Sequence, residues 1–218
     1  MNCRNLCATV CVGAVAGLVT AAASLSMAQP PKETKPAGVP EMKLPPGWTE
    51  ADMMACVAAG TPGSMHEHLA KSVGVWQGRQ TMWMAPDTEP SKSECTTTIA
   101  AIMDGRFTSS DIAGDIPGMG PFKGHGITGF DNVTQQFVSS WIDNHGTGIM
   151  QGTGELSPDG KTMTWKFTYN CTVTKKPAVM RQIERMTGNN QMEFEIFAAD
   201  PKSGKEYKML HIDYVKKS

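Results

Sequence analysis

The sequence lacks the short motifs that mark common enzyme active sites. It contains no G-x-S-x-G elbow, no G-x-x-x-x-G-K-[ST] loop, no H-E-x-x-H pair and no C-x-x-C. The glycine-rich run 114–129 follows no βαβ pattern and does not predict a dinucleotide loop. From these absences we predict no catalytic residue and no cofactor, and we favour a protein that is not an enzyme.

An excess of positive charge is also missing. The 218 residues carry 20 Lys+Arg and 21 Asp+Glu, for a formal net charge of −1 at pH 7. A nucleic-acid partner would call for a basic stripe, and an anionic membrane surface would call for a polybasic segment. The charge balance therefore argues against both classes of partner.

Long apolar runs are confined to the N-terminus. Arg4 precedes an Ala- and Val-rich run at 8–25, and Ser26-Met27-Ala28 is a small-x-small cleavage site. We therefore predict a secretory signal peptide at 1–28 and an exported protein, periplasmic or extracellular. The alternative is an uncleaved membrane anchor, which the glycines and threonines within the run disfavour. Residues 29–47 contain six prolines and are predicted to form an extended linker.

Cysteine is scarce after the leader, where only Cys56, Cys95 and Cys171 remain. One disulfide is possible in an oxidising compartment, and one thiol is left over. Cys95 and Cys171 both lie in strand-like segments and are the predicted pair. The alternative is three buried, unpaired thiols that act as small apolar side chains.

Helical signals occur only at 48–73, where we predict one or two short helices that pack on the following domain. Thr49 is a predicted N-cap, with an apolar face at Met53, Met54 and Val57. A second start is indicated by Ser64 with Glu67, the spacing of a capping box, followed by Leu69 and Val73 on the apolar side.

After Val73 no 3.6-residue apolar stripe is long enough for a crossover helix, and the period changes to two. Short connections containing Gly, Asn, Asp and Pro predict antiparallel neighbours. A meander of this size buries one face and removes its edges by closing. We therefore predict an up-and-down antiparallel barrel at 74–218. About ten strands are predicted to start near Val75, Ser93, Arg106, Lys123, Gln136, Gly148, Thr162, Val179, Met192 and Glu206.

Several segments resemble a known family. Gly74-Val75-Trp76 resembles the Gly-x-Trp opening of lipocalin-type barrels, in which the Trp plugs the closed end of the barrel. The segments HEHLAKSVGVWQG, GELSPDGKTMTW and GKEYKMLHIDYVKK, together with 103–150, are similar to a bacterial family known as domain of unknown function 1579. This resemblance covers roughly residues 62–217. It implies a lipocalin-like barrel and no established reaction. His211 departs from the acidic residue expected there in relatives.

The predicted interior is rich in aromatic and sulfur side chains. Trp165, Phe167, Tyr169 and Cys171 share one face of a strand, opposite polar residues, and are expected to point inward. A barrel with such a lining can be filled solid or can hold one small ligand. Two strand-borne arginines are candidates to bind a carboxylate, or else lie exposed on the outer wall. The candidate ligand-binding residues are Arg79, Trp83, Trp141, Trp165, Tyr169, Arg181 and His211.

The histidines suggest an alternative function. Nitrobindins, a related barrel family, hold haem through a histidine near the C-terminal strand, which makes His211 a candidate haem ligand by resemblance. His125, Asp143 and His145 are weak candidates for a transition-metal site. His66 and His68 are expected to lie in a solvated helical turn. The alternative to histidine chemistry is ordinary hydrogen bonding within the wall and the loops.

The sequence thus predicts an exported barrel that binds a small apolar or amphipathic molecule in its interior. The first alternative is a haem- or metal-dependent barrel enzyme that uses His211 or the Asp143/His145 region. The second is a structural or interaction domain tethered by the Pro-rich segment. The sequence does not predict an oligomeric state.

Overall fold

The computed structural model of the protein describes residues 44–217. The predicted signal peptide at 1–28 and residues 29–43 of the predicted linker lie outside this range. Two helices precede ten strands, and neither described helix is long and apolar enough to cross a bilayer. The elements are α1 (Glu50–Gly60), α2 (Ser64–Ala70), β1 (Gly74–Met82), β2 (Ser91–Ile102), β3 (Phe107–Ile116), β4 (Gly120–Asp131), β5 (Gln136–Asp143), β6 (Met150–Leu156), β7 (Thr162–Asn170), β8 (Pro177–Gly188), β9 (Gln191–Ala199) and β10 (Glu206–Lys216).

The strands close into an antiparallel barrel in which every strand pairs with its neighbours in sequence. β1 completes the ring by pairing with both β2 and β10, for example through Gly78 with Cys95 and Tyr214. Closure satisfies the backbone groups that an open sheet would leave at its edges. The predicted up-and-down barrel of about ten strands is therefore confirmed. Each predicted strand start lies within three residues of the observed one.

Strand alternation gives the barrel an inner wall, whose side chains face the lumen, and an outer wall, whose side chains face solvent. Along β7, Trp165 and Phe167 are buried while Thr164 and Lys166 are exposed, as predicted. Aromatic rings lie over glycines of the neighbouring strand. A Cβ atom added to Gly154 would lie 2.6 Å from Cε3 of Trp165. The inner wall is therefore close-packed where large rings and glycines meet.

One end of the barrel is covered by α2. Leu69 of this helix is buried against the inner-wall cluster that contains Phe137 and Trp165. Trp76, just after α2, is fully buried, and its indole N–H donates to the carbonyl of Ser72 at 2.8 Å. Trp76 therefore fixes the helix-to-strand connection at this end.

The start of α2 differs from the prediction. The N-cap is Gly63 and not Ser64, and the Gly63 N–H donates to Nδ1 of His66 at 3.0 Å. His66 is therefore buried, with its ring edge-on to Phe130, so the prediction of a solvated histidine is wrong for this residue. An imidazole nitrogen replaces the glutamate of the predicted capping box because the helix begins one residue earlier.

Helix α1 begins as predicted but does not use its apolar residues for packing. The Thr49 hydroxyl accepts from the Asp52 N–H, and the Asp52 carboxylate accepts from the Thr49 N–H, forming a capping box. No residue of α1 is buried, and Met54 and Val57 are exposed. The amide of Asn132 donates to the carbonyls of Ala59 and Thr61. The side chain of Asn132, in the turn between β4 and β5, therefore holds the C-terminal end of α1.

The predicted disulfide is wrong. Among residues 44–217, Cys56, Cys95 and Cys171 are free thiols. Cys95 lies on β2, whose neighbours are β1 and β3, whereas Cys171 follows β7. The two segments are therefore not adjacent, as a disulfide would require. Cys95 is buried beside the Tyr214 hydroxyl at 3.7 Å, and burial raises the pKa of its thiol. The alternative of three buried thiols also fails, since Cys56 is exposed.

Candidate functional site

The barrel encloses a cavity of about 610 Å³ at the end covered by α2. Its apolar lining comes from the inner wall and α2, and includes Leu69, Ile99, Met163, Trp165, Met186 and Met192. Thr108, Ser110 and Thr128 contribute hydroxyl groups on the side formed by β3 and β4. Exposed residues of α2 and of two turns, among them Lys71, Lys161 and Asn189, form its mouth. The lining is therefore amphipathic, with charge at the rim.

Glu184 on β8 places a carboxyl group on the wall of this cavity. It pairs in register with Met163 of β7 and Phe194 of β9, both inner-wall residues. Desolvation raises the pKa of Glu184, and the nearby N–H groups of Gln182 and Trp165 oppose that shift. The Glu184 side chain is half-buried, because it lies on the inner wall and faces the cavity. An acid whose pKa is shifted on the wall of a cavity is a typical feature of a functional site.

The groups around the Glu184 carboxyl are hydrogen-bond donors. Nε2 of Gln182 donates to Oε1 of Glu184 at 2.6 Å. The Trp165 indole N–H lies close enough to favour the charged carboxylate, but it makes no hydrogen bond of good geometry with any described residue. Trp165 is only 3% exposed. The cavity wall therefore holds one buried donor without an acceptor, a costly arrangement in an apolar environment.

His68 of α2 also lines the cavity and corrects the prediction of a solvated helical turn. Its ring lies at an angle to Phe137, with ring centroids 6.4 Å apart. Burial lowers the pKa of His68, and the charge of Lys71 lowers it further. The neutral ring is therefore favoured, and His68 does not provide a cation for Glu184.

Of the seven predicted ligand-binding residues, Trp165 lines the cavity. Trp141 and Tyr169 lie on the inner wall in register with Gly126 and Ala178, but away from the cavity lining. Trp83 follows the end of β1, and its backbone N–H donates to the backbone carbonyl of Met209. The structure therefore brings one predicted aromatic residue to the site.

The two predicted arginines lie on the outer wall. Arg79 is exposed. Arg181 stacks over the Phe197 ring at 4.2 Å and pairs with Glu206 at 3.2 Å. Neither guanidinium reaches the lumen, so the outer-wall alternative given above is the correct one for both.

His211 also lies on the outer wall. It pairs in register with Glu195 of β9 and Thr81 of β1, and its Nε2 is 3.2 Å from Oδ1 of Asp213. A register shift between Lys208 and Leu210 places Tyr207 on the inner wall, opposite Ala198. Tyr207 and His211 are four residues apart and would share a face in a regular strand, but they lie on opposite walls because a β-bulge reverses the alternation. His211 does not face the barrel interior.

The three candidate metal ligands are not arranged as one site. His125 pairs with Asp111 at 2.8 Å on the outer wall, beside a groove of about 470 Å³. Asp143 accepts from the Trp141 indole N–H at 3.0 Å and from the backbone N–H of His145 at 2.9 Å. Within residues 44–217, no group of three or more His, Cys, Asp or Glu side chains is spaced to hold a metal ion.

A family model described as a protein of unknown function, DUF1579, matches residues 61–216. The chain belongs to this family. The match includes α2 and the full length of the barrel strands, so the cavity and Glu184 lie within the DUF1579 domain.

Solved structures extend the comparison to the fold. The DUF1579 domain is similar to the crystal structure of Rv2717c from M. tuberculosis, with a TM-score of 0.54 and 12% identity over 72% of this chain and 100% of that chain. A redesigned β-barrel gives a TM-score of 0.38 and 13% identity with the same coverage. The likeness to Rv2717c shows a common fold. No curated protein sequence matches the chain.

Glu184 is the DUF1579-domain residue that sequence reasoning missed. The segment around it, Gln182-Ile183-Glu184, places the apolar residue between two polar ones. A period-two interpretation would turn Ile183 inward and Glu184 outward, and the structure shows the reverse. The available signal was register: Glu184 is an even number of residues from Met180 and Met186, which frame the same face.

Proposed function

We propose that this DUF1579 protein is exported and binds one small amphipathic molecule inside its barrel. The cavity of about 610 Å³ carries the proposal. Ligand pockets in proteins have volumes of about 300–1,000 Å³ and combine an apolar lining with a few polar groups. Trp165 and the methionines provide the apolar surface, and methionine adapts its shape to irregular ligands.

The mouth of the cavity supports exchange of a ligand with solvent. Lys71, Lys161 and Asn189 are exposed and line the opening between α2 and the turns after β6 and β8. A ligand can enter there without any strand leaving the sheet. Export is supported by the leader at 1–28, and a mature protein whose mass corresponds to cleavage after Ala28 is the expected result.

A cavity-filling variant tests the proposal. Ser110 lines the cavity, whereas Ser109 is the adjacent residue on the outer wall. We expect native mass spectrometry, after incubation with a bacterial lipid extract, to detect one bound molecule on the wild type and on Ser109→Phe. Ser110→Phe should lose it, because the added ring occupies the lumen.

Two results would contradict the proposal. The first is a wild-type protein that retains no molecule from the extract. The second is equal retention by Ser110→Phe, which would place the ligand outside the cavity. Thermal unfolding of both variants establishes that each is folded before the comparison is made.

A further inference from the structure

Glu184 is a half-buried acid without a counter-charge. Among the described residues that line the cavity, it is the one acid, and the cations are Lys71 and Lys161 at the rim. Both lysines are exposed, so water and salt screen their effect on the interior. The ion pairs of the described chain do not include Glu184. A charged group inside a protein requires a partner or loses its charge.

The immediate surroundings of Glu184 suit the charged form. Gln182 donates to one carboxyl oxygen at 2.6 Å, and the Trp165 indole N–H lies near the carboxyl without an acceptor of its own. Donors stabilise a carboxylate, whereas a protonated acid needs an acceptor for its O–H. The site therefore provides hydrogen bonds for a carboxylate but no cation to balance its charge.

A cationic ligand resolves this mismatch. An ammonium group beside Glu184 would supply the counter-charge, and the ionised carboxyl would become a stronger acceptor for the unpaired Trp165 N–H. The Trp165 ring and the sulfur atoms of Met163, Met186 and Met192 are polarisable surfaces that also suit a cation and its alkyl chain. An alcohol ligand would need no charge at position 184, so a neutral side chain would bind it equally well. A carboxylate ligand would be repelled by the charged Glu184.

We propose that the ligand is a cationic amphiphile, an organic ammonium whose charged group pairs with Glu184 and whose apolar body packs against Trp165 and the cavity methionines. This inference rests on the proposed binding function. It assigns to Glu184 the selection of the ligand by charge.

Three decyl compounds with different head groups test the assignment. Calorimetric titration at pH 7.5 with decylammonium, 1-decanol and decanoate should rank the affinities in that order. We expect decylammonium to bind at least about tenfold more tightly than the alcohol, the ratio produced by about 1.4 kcal/mol. Glu184→Gln should remove this preference while the alcohol affinity changes less than about threefold, because the side-chain volume and one acceptor oxygen remain while the charge is lost.

Glu195→Gln is the matched control, since Glu195 lies on the outer wall of the neighbouring strand. It should keep the preference for ammonium. Binding of all three compounds without preference, or a preference that survives in Glu184→Gln, would overturn this inference and leave the binding function standing. Failure of all three compounds to bind would overturn both.

Discussion

Glu184 and Glu195 lie on adjacent strands but on opposite walls of the barrel. Glu195 pairs in register with Ile183, the neighbour of Glu184, so one residue of alternation separates their environments. On the outer wall, a hydrogen bond from Lys208 lowers the pKa of Glu195, and His211 adds to the effect. On the inner wall, desolvation raises the pKa of Glu184. Glu195 on the outer wall is thus paired with a cation, whereas Glu184 on the inner wall has no cation beside it.

The difference shows what each wall contributes. Several charges on the outer wall occur as pairs, such as Arg185 with Glu193 at 3.1 Å, and each pair adds little stability. Packing of rings against glycines on the inner wall stabilises the barrel. A lone acid on that inner wall is an exception to both patterns, and a residue that costs stability without a structural gain indicates function.

The largest effect is expected where the inner wall is most closely packed. Gly154→Val places a Cβ atom 2.6 Å from Cε3 of Trp165, so the ring must move. Overpacking of this kind costs about 1–3 kcal/mol. Thr153→Val, one residue away on the outer wall, is exposed and should change the free energy of unfolding by less than about 0.5 kcal/mol. Urea unfolding measures both, and equal losses would contradict the division into two walls.

The fold followed from the sequence because its signals are local. Period-two patterns and turn residues predict the strand starts, and the alternation along β7 alone predicts that Trp165 points inward. The ring of ten strands was predicted because short connections leave only neighbouring strands to pair.

The site was missed because its signals are not local. The β-bulge between Lys208 and Leu210 reverses alternation and leaves no strong mark in the sequence. Glu184 breaks the apolar-inside pattern because the wall there faces a cavity and not packed side chains. A prediction from alternating apolar and polar residues assumes that every inward side chain is packed in a filled core. It therefore places a polar residue such as Glu184 on the wrong wall where the interior contains a cavity. The predicted Cys95–Cys171 disulfide was wrong for a related reason, since the order of strands around the barrel decides which segments are adjacent.

An intermediate effect is expected at Glu184, and its sign depends on pH. The raised pKa means that the folded state holds the proton more tightly than the unfolded chain. Stability from this group is complete below the unfolded pKa and is lost as pH rises through the folded pKa. Glu184→Gln should therefore raise the melting temperature at pH 8 and leave it nearly unchanged at pH 4. A lower melting temperature at pH 8 would show that the carboxylate already has a stabilising partner.

The smallest effect is expected at Glu195, with the opposite sign. Its lowered pKa means that the unfolded chain takes up the proton first, so the stability it contributes is present above the unfolded pKa and is lost as pH falls through the folded pKa. Glu195→Gln should lower the free energy of unfolding at pH 7 by less than about 1 kcal/mol, and the difference should disappear in acid. Urea unfolding of both Glu→Gln variants between pH 3 and pH 8 makes the comparison direct. If the two variants changed stability in the same direction at pH 8, the partner-based explanation of the two walls would be wrong, because it requires a stabilising cation beside Glu195 and none beside Glu184.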